Sequence, residues 1–333
     1  MFRIGIVGTG VMGSFHAASW ARTPAQVVGV LSQDRGQAQA VAERLQTRVY
    51  DSLDALINDV DVIDVCTPTD THHEIVLKAA AAGKQIVCEK PLARTYAQGK
   101  AIIEACERAS VKLLVGQVVR FFPEYALAKS VVEAGKIGHV GVIRLKRVGF
   151  QPARNPNWFA EFDRSGGVIL DLMIHDFDYA RWIAGDVESV FARNVRSNQA
   201  DTMDDYCLAI LKHKNGAISH VEGSWAYPAP LFRTALEIAG DGGLIEHPAG
   251  SSIPLEIFLD QSPDGTRPNV GVPTSPLLDD PYVLEIKHFY DILSGVDVPL
   301  RITGADALAA LRISLAAIQS AQTGKRVMIE EVA

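Results

Sequence analysis

Six residues near the amino terminus, Gly8-Thr9-Gly10-Val11-Met12-Gly13, constrain this chain more than any other feature. They follow directly on the apolar run Ile4-Gly5-Ile6-Val7 and open a helical pattern, so a G-x-G-x-x-G spacing falls between a strand and a helix. A dinucleotide cradle requires that placement. The first glycine makes the tight turn, the second lets backbone approach a pyrophosphate, and the third lets the helix lie close on the strand. The helix start then offers N–H groups and a positive dipole end to the phosphates. The competing reading is an ordinary glycine turn. The correct flanks and the five further strands behind it argue for the cradle.

Phe2–Val7, Gln26–Leu31, Arg48–Tyr50, Val60–Cys66, Gln85–Cys88 and Lys112–Gln117 read as strands. Helical periodicity runs over Gly13–Arg22, through Ala38, Val41, Ala42 and Leu45, and over Ile75–Ala82 and Tyr96–Ala109. Ser52 is placed to cap a short helix and Gly83 to end one. Such alternation gives βαβ units and a doubly wound parallel sheet. The rhythm then changes. Val140–Val148 is a long strand with no helix after it, Phe150–Asp163 is irregular, and Val168–Ala184 reads as one helix. Strands at Val187–Arg196, Tyr206–Leu211, Ile218–Trp225 and Ala235–Ala239 precede a Pro-, Gly- and Asp-rich loop over Gln261–Asp280. Helices at Tyr282–Leu293 and Ala305–Ala321 close the chain. A length of 333 residues exceeds one comfortable core. The expectation is α/β: a Rossmann domain over 1–120, then an α+β domain over 121–333 with a large, mainly antiparallel sheet for substrate binding and oligomerisation.

The balance of 48% hydrophobic and 21% charged residues is that of a globular protein. The net charge is −7, with no clustered Lys or Arg, which argues against nucleic acid and anionic membranes as partners. Met1 leads straight into the first strand, leaving no room for a secretory leader, and no apolar stretch is long enough to span a bilayer. Cys66, Cys88, Cys106 and Cys207 lack metal-site spacing and suit a reducing cytoplasm.

The residue that reads the adenosine ribose closes the second strand, about 20 residues beyond the turn. Ser32 stands there, followed by Gln33, Asp34 and Arg35. Serine does not repel a 2′-phosphate and Arg35 can meet one, which favours NADP. Asp34 swinging in to take the ribose diol would favour NAD, and Arg35 as a solvated helix-start residue is the bland alternative.

Further motifs carry a family resemblance. Cys66-Thr67-Pro68-Thr69-Asp70-Thr71-His72 resembles the loop that lines the cofactor in Gfo/Idh/MocA oxidoreductases, the glucose–fructose oxidoreductase and inositol dehydrogenase group. Glu89-Lys90-Pro91 is similar to the family's EKP tripeptide. Gly166-Gly167 with Asp171 and His175 looks like its second-domain D-x-x-x-H helix, and Glu285, Phe289, Gly295 and Pro299 fit its closing pattern. The resemblance spans nearly the whole chain. It implies a metal-free enzyme using NAD or NADP, with Thr67, Pro68, His72, Glu89 and Lys90 near the cofactor, assembled as a homodimer or homotetramer.

The chemistry of the residues supports this. Lys90 ends a strand at the carboxyl edge of the sheet, where open α/β sheets bind ligands. An ammonium there stabilises a developing alkoxide; an exposed strand-end lysine is the bland alternative. Asp171 and His175, at i and i+4 of an apolar helix, share one face. His175 reads as the proton acceptor and Asp171 as its orienter, against a satisfied core pair. Asp176 and Asp178 raise a metal reading, but residues 175 and 176 diverge around a helix and chelate one ion poorly, so no metal is assigned. His73 reads as a solvated helix-start residue. Arg120 is either a cofactor or substrate contact or a domain-junction ion pair. Trp158, with Arg154 and Asn157, is either a wall of a substrate pocket or a plug in the core.

The expected activity is hydride transfer between nicotinamide C4 and a secondary alcohol or carbonyl of a sugar, cyclitol or similar polyol. The rivals are a reductase of an imine, pyrrole or diol on the same fold, and a dinucleotide-sensing regulator without turnover.

Overall fold

Strand β1 (Arg3–Val7) is buried from Ile4 onward and forms the centre of a parallel sheet. A computed structural model describes residues 1–152, 157–197, 204–247 and 280–333. After β1 come α1 (Val11–Trp20), β2 (Gln26–Leu31), α2 (Arg35–Leu45), β3 (Arg48–Val49), α3 (Leu53–Asp59) and β4 (Val62–Val65). Then follow α4 (His72–Ala81), β5 (Gln85–Glu89), α5 (Tyr96–Arg108) and β6 (Leu113–Gly116). The order is β3-β2-β1-β4-β5-β6 and every pairing is parallel. The direction of winding reverses between β1 and β4, the crevice where such sheets bind ligands. All four residues of β4 are buried, as helices on both faces require. Asp34, Ser52 and Thr95 cap their helices by accepting from Gln37, Ala55 and Gln98 backbone N–H groups.

The second unit contains α6 (Pro123–Glu133), β7 (Val140–Gly149), α7 (Phe162–Ser165), α8 (Gly167–Asp171) and α9 (Ile174–Ala184). Its remaining strands are β8 (Val187–Val195), β9 (Tyr206–His213), β10 (Ile218–Ser224), β11 (Phe232–Gly240) and β12 (Gly243–His247). The closing elements of the chain are α10 (Pro281–Leu293), α11 (Gly304–Thr323) and β13 (Val327–Met328). The seven-stranded sheet runs β12-β11-β7-β10-β9-β8-β13 and is antiparallel except between β7 and β10. Helices α8 and α9 lie on one face. Strand β9 alternates accordingly, with Cys207, Ala209 and Leu211 buried and Leu208 and Ile210 exposed.

Two expectations need correction. The span Val168–Ala184 is not one helix. Met173 N–H reaches back five residues to the Val168 carbonyl, a wide turn that separates α8 from α9. Met173 lies where a side chain on Gly223 of β10 would stand, within 2.2 Å of its Cβ position, so the wide turn is packed into the sheet. The domain division also differs from 1–120 and 121–333. The first compact unit is Met1–Phe122 together with a later segment ending at Leu308. Helix α10 belongs there because Tyr282 stacks on Phe15 of α1 at 5.1 Å and Tyr290 meets Phe2 edge-on at 6.2 Å. The expected loop Gln261–Asp280 lies outside the described residues except for Asp280, and so does Arg154.

A charged pair is buried in the second unit's core. Arg147 of β7 donates through Nε and Nη2 to both oxygens of Asp176 on α9, at 2.9 and 3.0 Å, and both side chains are buried. Bidentate geometry repays much of the desolvation cost, but removing one partner strands a buried charge. Arg147→Met is expected to lower unfolding free energy by about 3–5 kcal/mol in urea titration. Arg147→Met/Asp176→Leu should recover most of that loss. A single-variant loss under about 1 kcal/mol would mean that water reaches the pair.

Candidate active site

The glycine turn is built as the spacing demands. Gly8 has φ +95°, and a Cβ there would stand 2.5 Å from the Cys66 carbonyl oxygen. A Cβ on Gly13 would stand 1.9 Å from the Gly8 carbonyl oxygen, so only glycine lets α1 lie this close on the turn. Gly10 is the N-cap of α1, extended and without a side-chain cap. The N–H groups of Val11, Met12 and Gly13 therefore begin a helix whose first turn has no intrahelical acceptors. Thr9 Oγ1 is buried without a hydrogen-bond partner in the protein. A backbone cradle, a helix start and an orphan hydroxyl fit a pyrophosphate.

At the end of β2, Ser32 is half-buried, whereas Gln33, Asp34 and Arg35 are exposed. Asp34 Oδ1 is engaged by the Gln37 N–H at 3.0 Å. Arg35 Nη1 lies 2.6 Å from Asp51 Oδ1 in an exposed pair, the bland alternative for this arginine.

Along the carboxyl edge, the Thr67–Pro68 loop after β4 is held from within. Thr71 Oγ1 lies 2.7 Å from Thr67 Oγ1 and 2.8 Å from the Pro68 carbonyl. His72 is fully buried, its ring nitrogens 2.9 Å from the Pro91 and Thr67 carbonyl oxygens, and burial pushes its pKa down. His72 is therefore wedged between this loop and the one after β5, donating to one of the two carbonyls. Lys90, half-buried, leads that second loop, with a cis bond to Pro91. Arg120 is 1% exposed, donates to the Arg301 carbonyl at 2.7 Å and lies 3.6 Å from Asp306, both within the first unit. It works as an internal brace.

Glu89 also faces inward. His16 of α1 places Nδ1 3.0 Å from both oxygens of Asp64 and Nε2 3.0 Å from Glu89 Oε1. Trp20 Nε1 donates to Asp64 Oδ2 at 2.7 Å, and the Lys90 N–H donates to Glu89 Oε2 at 3.1 Å. Each imidazole nitrogen faces a carboxylate and so donates. Although burial opposes the charge, Asp64 and Cys66 hold the His16 pKa well above its ordinary value. His16, Asp64 and Cys66 lie close enough to suggest a metal site, but a ring donating from both nitrogens has no lone pair for one. Glu285 of α10 is buried with both carboxyl oxygens unpartnered. Burial and the nearby carboxylates of Glu89 and Asp64 push its pKa well up, against His16. The sequence reading passed over His16, although a histidine three residues beyond Gly13 and an aspartate inside the apolar strand β4 were a signal.

In the second unit, Asp171 is the last residue of α8 and His175 the second of α9, on either side of the wide turn. The shared face of one regular helix is thus replaced by a junction of two. Asp171 is 9% exposed and His175 half-buried. Asp176 anchors α9 to β7 through Arg147, so it is committed to packing. Trp158 is half-buried and stacks on Phe159 at 4.0 Å, which meets Trp225 edge-on at 6.5 Å.

Residues 2–117 match the family model described as oxidoreductase family, NAD-binding Rossmann fold, and 125–246 the GFO/IDH/MocA C-terminal domain. The chain is 31% identical to myo-inositol 2-dehydrogenase of Thermotoga maritima over 99% of each chain. It is 29% identical to scyllo-inositol 2-dehydrogenase (NAD(+)) of Bacillus subtilis, covering 98% of this chain and 96% of that protein. GenD2 from gentamicin A biosynthesis, solved in complex with NAD, superposes with TM-score 0.86 at 25% identity, covering 98% of this chain and 96% of that one.

The cluster makes stability depend on pH with a definite sign. Glu285 titrates above its ordinary 4.5 and His16 above its ordinary 6.5 in the folded chain, so both bind protons more tightly folded than unfolded. Their contributions are present below those ordinary values and are lost as pH rises through the raised ones. The melting temperature of Glu285→Gln minus that of the parent is therefore expected to increase from about pH 5 to about pH 8. Parallel pH profiles would show that Glu285 does not titrate.

Proposed function

Because this chain belongs to the GFO/IDH/MocA family of oxidoreductases, we propose that it oxidises a secondary alcohol of a cyclitol, sugar or similar small polyol, reversibly, with NAD. The observation that carries the reading is the turn at Gly8 and Gly13, where backbone stands in the space that any side chain would occupy. Lys90 follows directly on β5, two strands from β1 on the same carboxyl edge. When bound, the nicotinamide supplies the hydride acceptor for oxidation and the donor for the reverse. His175 is assigned to take the substrate's hydroxyl proton, with Asp171 holding the imidazole's charge and orientation, and Lys90 is assigned to stabilise a developing alkoxide. Trp158 offers an aromatic face to the substrate's C–H groups.

NAD is chosen over the NADP that Ser32 and Arg35 suggested. Arg35 is engaged with Asp51, and Asp34 brings a carboxylate to the end of β2. The names of the relatives that specify a nucleotide say NAD. The names of the inositol dehydrogenases put cyclitols first among substrates to screen. Four cysteines without disulfides suit a reducing cytoplasm, and among the described residues no helix is long and apolar enough to cross a membrane.

A polyol screen followed by reduced-nicotinamide absorbance tests the activity. His175→Ala and Lys90→Ala are each expected to lower kcat by at least ~10²-fold. Nucleotide dissociation constants should favour NAD and change little in His175→Ala. Near-normal turnover of His175→Ala would overturn the base assignment, and tighter binding of NADP would overturn the cofactor assignment.

The outward face of the second sheet carries Phe191, Val195, Leu208, Ile210 and Ile218, which are 36–56% exposed. Phe191 stands opposite Ile210 across β8 and β9, so the patch is contiguous. We place it in the interface of a homodimer or homotetramer. Light scattering at micromolar concentration should find at least a dimer; a stable monomer would refute the assignment.

A further inference from the structure

The carboxylate of Glu89 joins the buried cluster to the residue assigned to the reacting oxygen. Oε1 meets His16 Nε2 at 3.0 Å, and Oε2 accepts from the Lys90 backbone N–H at 3.1 Å. Neither end can drift easily. His16 is fully buried and held at its other nitrogen by Asp64, which Trp20 holds in turn. A Cβ on Gly116 of β6 would stand 3.0 Å from Glu89 Oε1, so the neighbouring strand leaves room for the carboxylate and little more. Among the described residues, the groups around Glu89 are His16 from α1, Cys66 at the end of β4, His72 from α4, Glu285 from α10 and, beside its carboxylate, Gly116 of β6.

We propose that Glu89 is a positioning residue for Lys90, and that His16 fixes Glu89 for that purpose. The proposal rests on the assignment of Lys90 to the substrate oxygen. A strand-end residue has one soft joint, its backbone leaving the sheet, and an ammonium on a four-carbon stem inherits any error there. A hydrogen bond from the Lys90 N–H to a locked carboxylate removes that freedom at its origin. This also explains why glutamate precedes the lysine although its own side chain points into the protein.

The test is a double-mutant cycle on the full-length protein with its nucleotide and the best polyol from the screen. Glu89→Gln keeps shape and size but weakens the charge-assisted bonds at both ends. It is expected to lower kcat about 10²-fold, the scale of a misplaced reacting group, with little change in nucleotide dissociation constant. In the Lys90→Ala background the same substitution should cost almost nothing, because the group it aims is gone. A merely structural role would give equal losses in both backgrounds, and such additivity would overturn the proposal. If Glu89→Gln does not fold, His16→Gln unhooks the other end of the carboxylate and is carried through the same cycle, with the same non-additivity required. Full activity in Lys90→Ala would overturn the Lys90 assignment itself. A normal loss in Lys90→Ala with an additive loss in Glu89→Gln overturns the positioning role alone.

Discussion

A fully buried imidazole between two carboxylates holds the carboxyl edge of the first unit together. His16 reaches from α1 to Asp64 on β4 and Glu89 on β5, so one side chain ties the helix behind the glycine turn to two strands across the winding reversal. Burying a cation is costly unless it is paired and fully hydrogen-bonded. Here both nitrogens are used, and Trp20 and the Lys90 backbone N–H each donate to one of the carboxylates. The same strands carry the close approach of Gly8 to Cys66. The nucleotide turn and the Lys90 loop are thus positioned by neighbouring parts of one network.

The second unit solves a parallel problem with a different pair. A wide turn at Met173 leaves α9 starting afresh at Ile174, and Arg147 grips Asp176, the residue after His175, with both arms of its guanidinium. In each unit the residue assigned to chemistry is half-buried, and its sequence neighbour, Glu89 or Asp176, carries the buried charge that fixes the backbone.

Much of this was legible from the sequence because local rules decide it. Glycine at positions 8, 10 and 13 between an apolar strand and a helix has few other uses, and the alternating strands and helices after it define the sheet. Ser52 as a cap followed from side-chain chemistry alone. What stayed hidden depends on distant partners. Periodicity could not show that Met173 would fill the space beside Gly223 and split a helix, since residues 167–184 are apolar nearly all round. His72 reads as a cofactor-loop residue from the motif it sits in, and Arg120 as either a ligand contact or an ion pair; their partners, the Pro91 and Arg301 carbonyls, lie 19 and 181 residues away. Glu89 belonged to a recognisable tripeptide, but nothing local said that its carboxylate turns inward to a histidine 73 residues earlier.

His16 is expected to stand as a buried imidazolium at neutral pH. Nitrogen NMR of the protein labelled at histidine, with His16→Gln to assign the signal, reads this directly. The prediction is that both ring nitrogens of His16 carry protons at about pH 8, well above the ordinary histidine range near 6.5. A neutral ring at that pH, with one unprotonated nitrogen, would contradict the account.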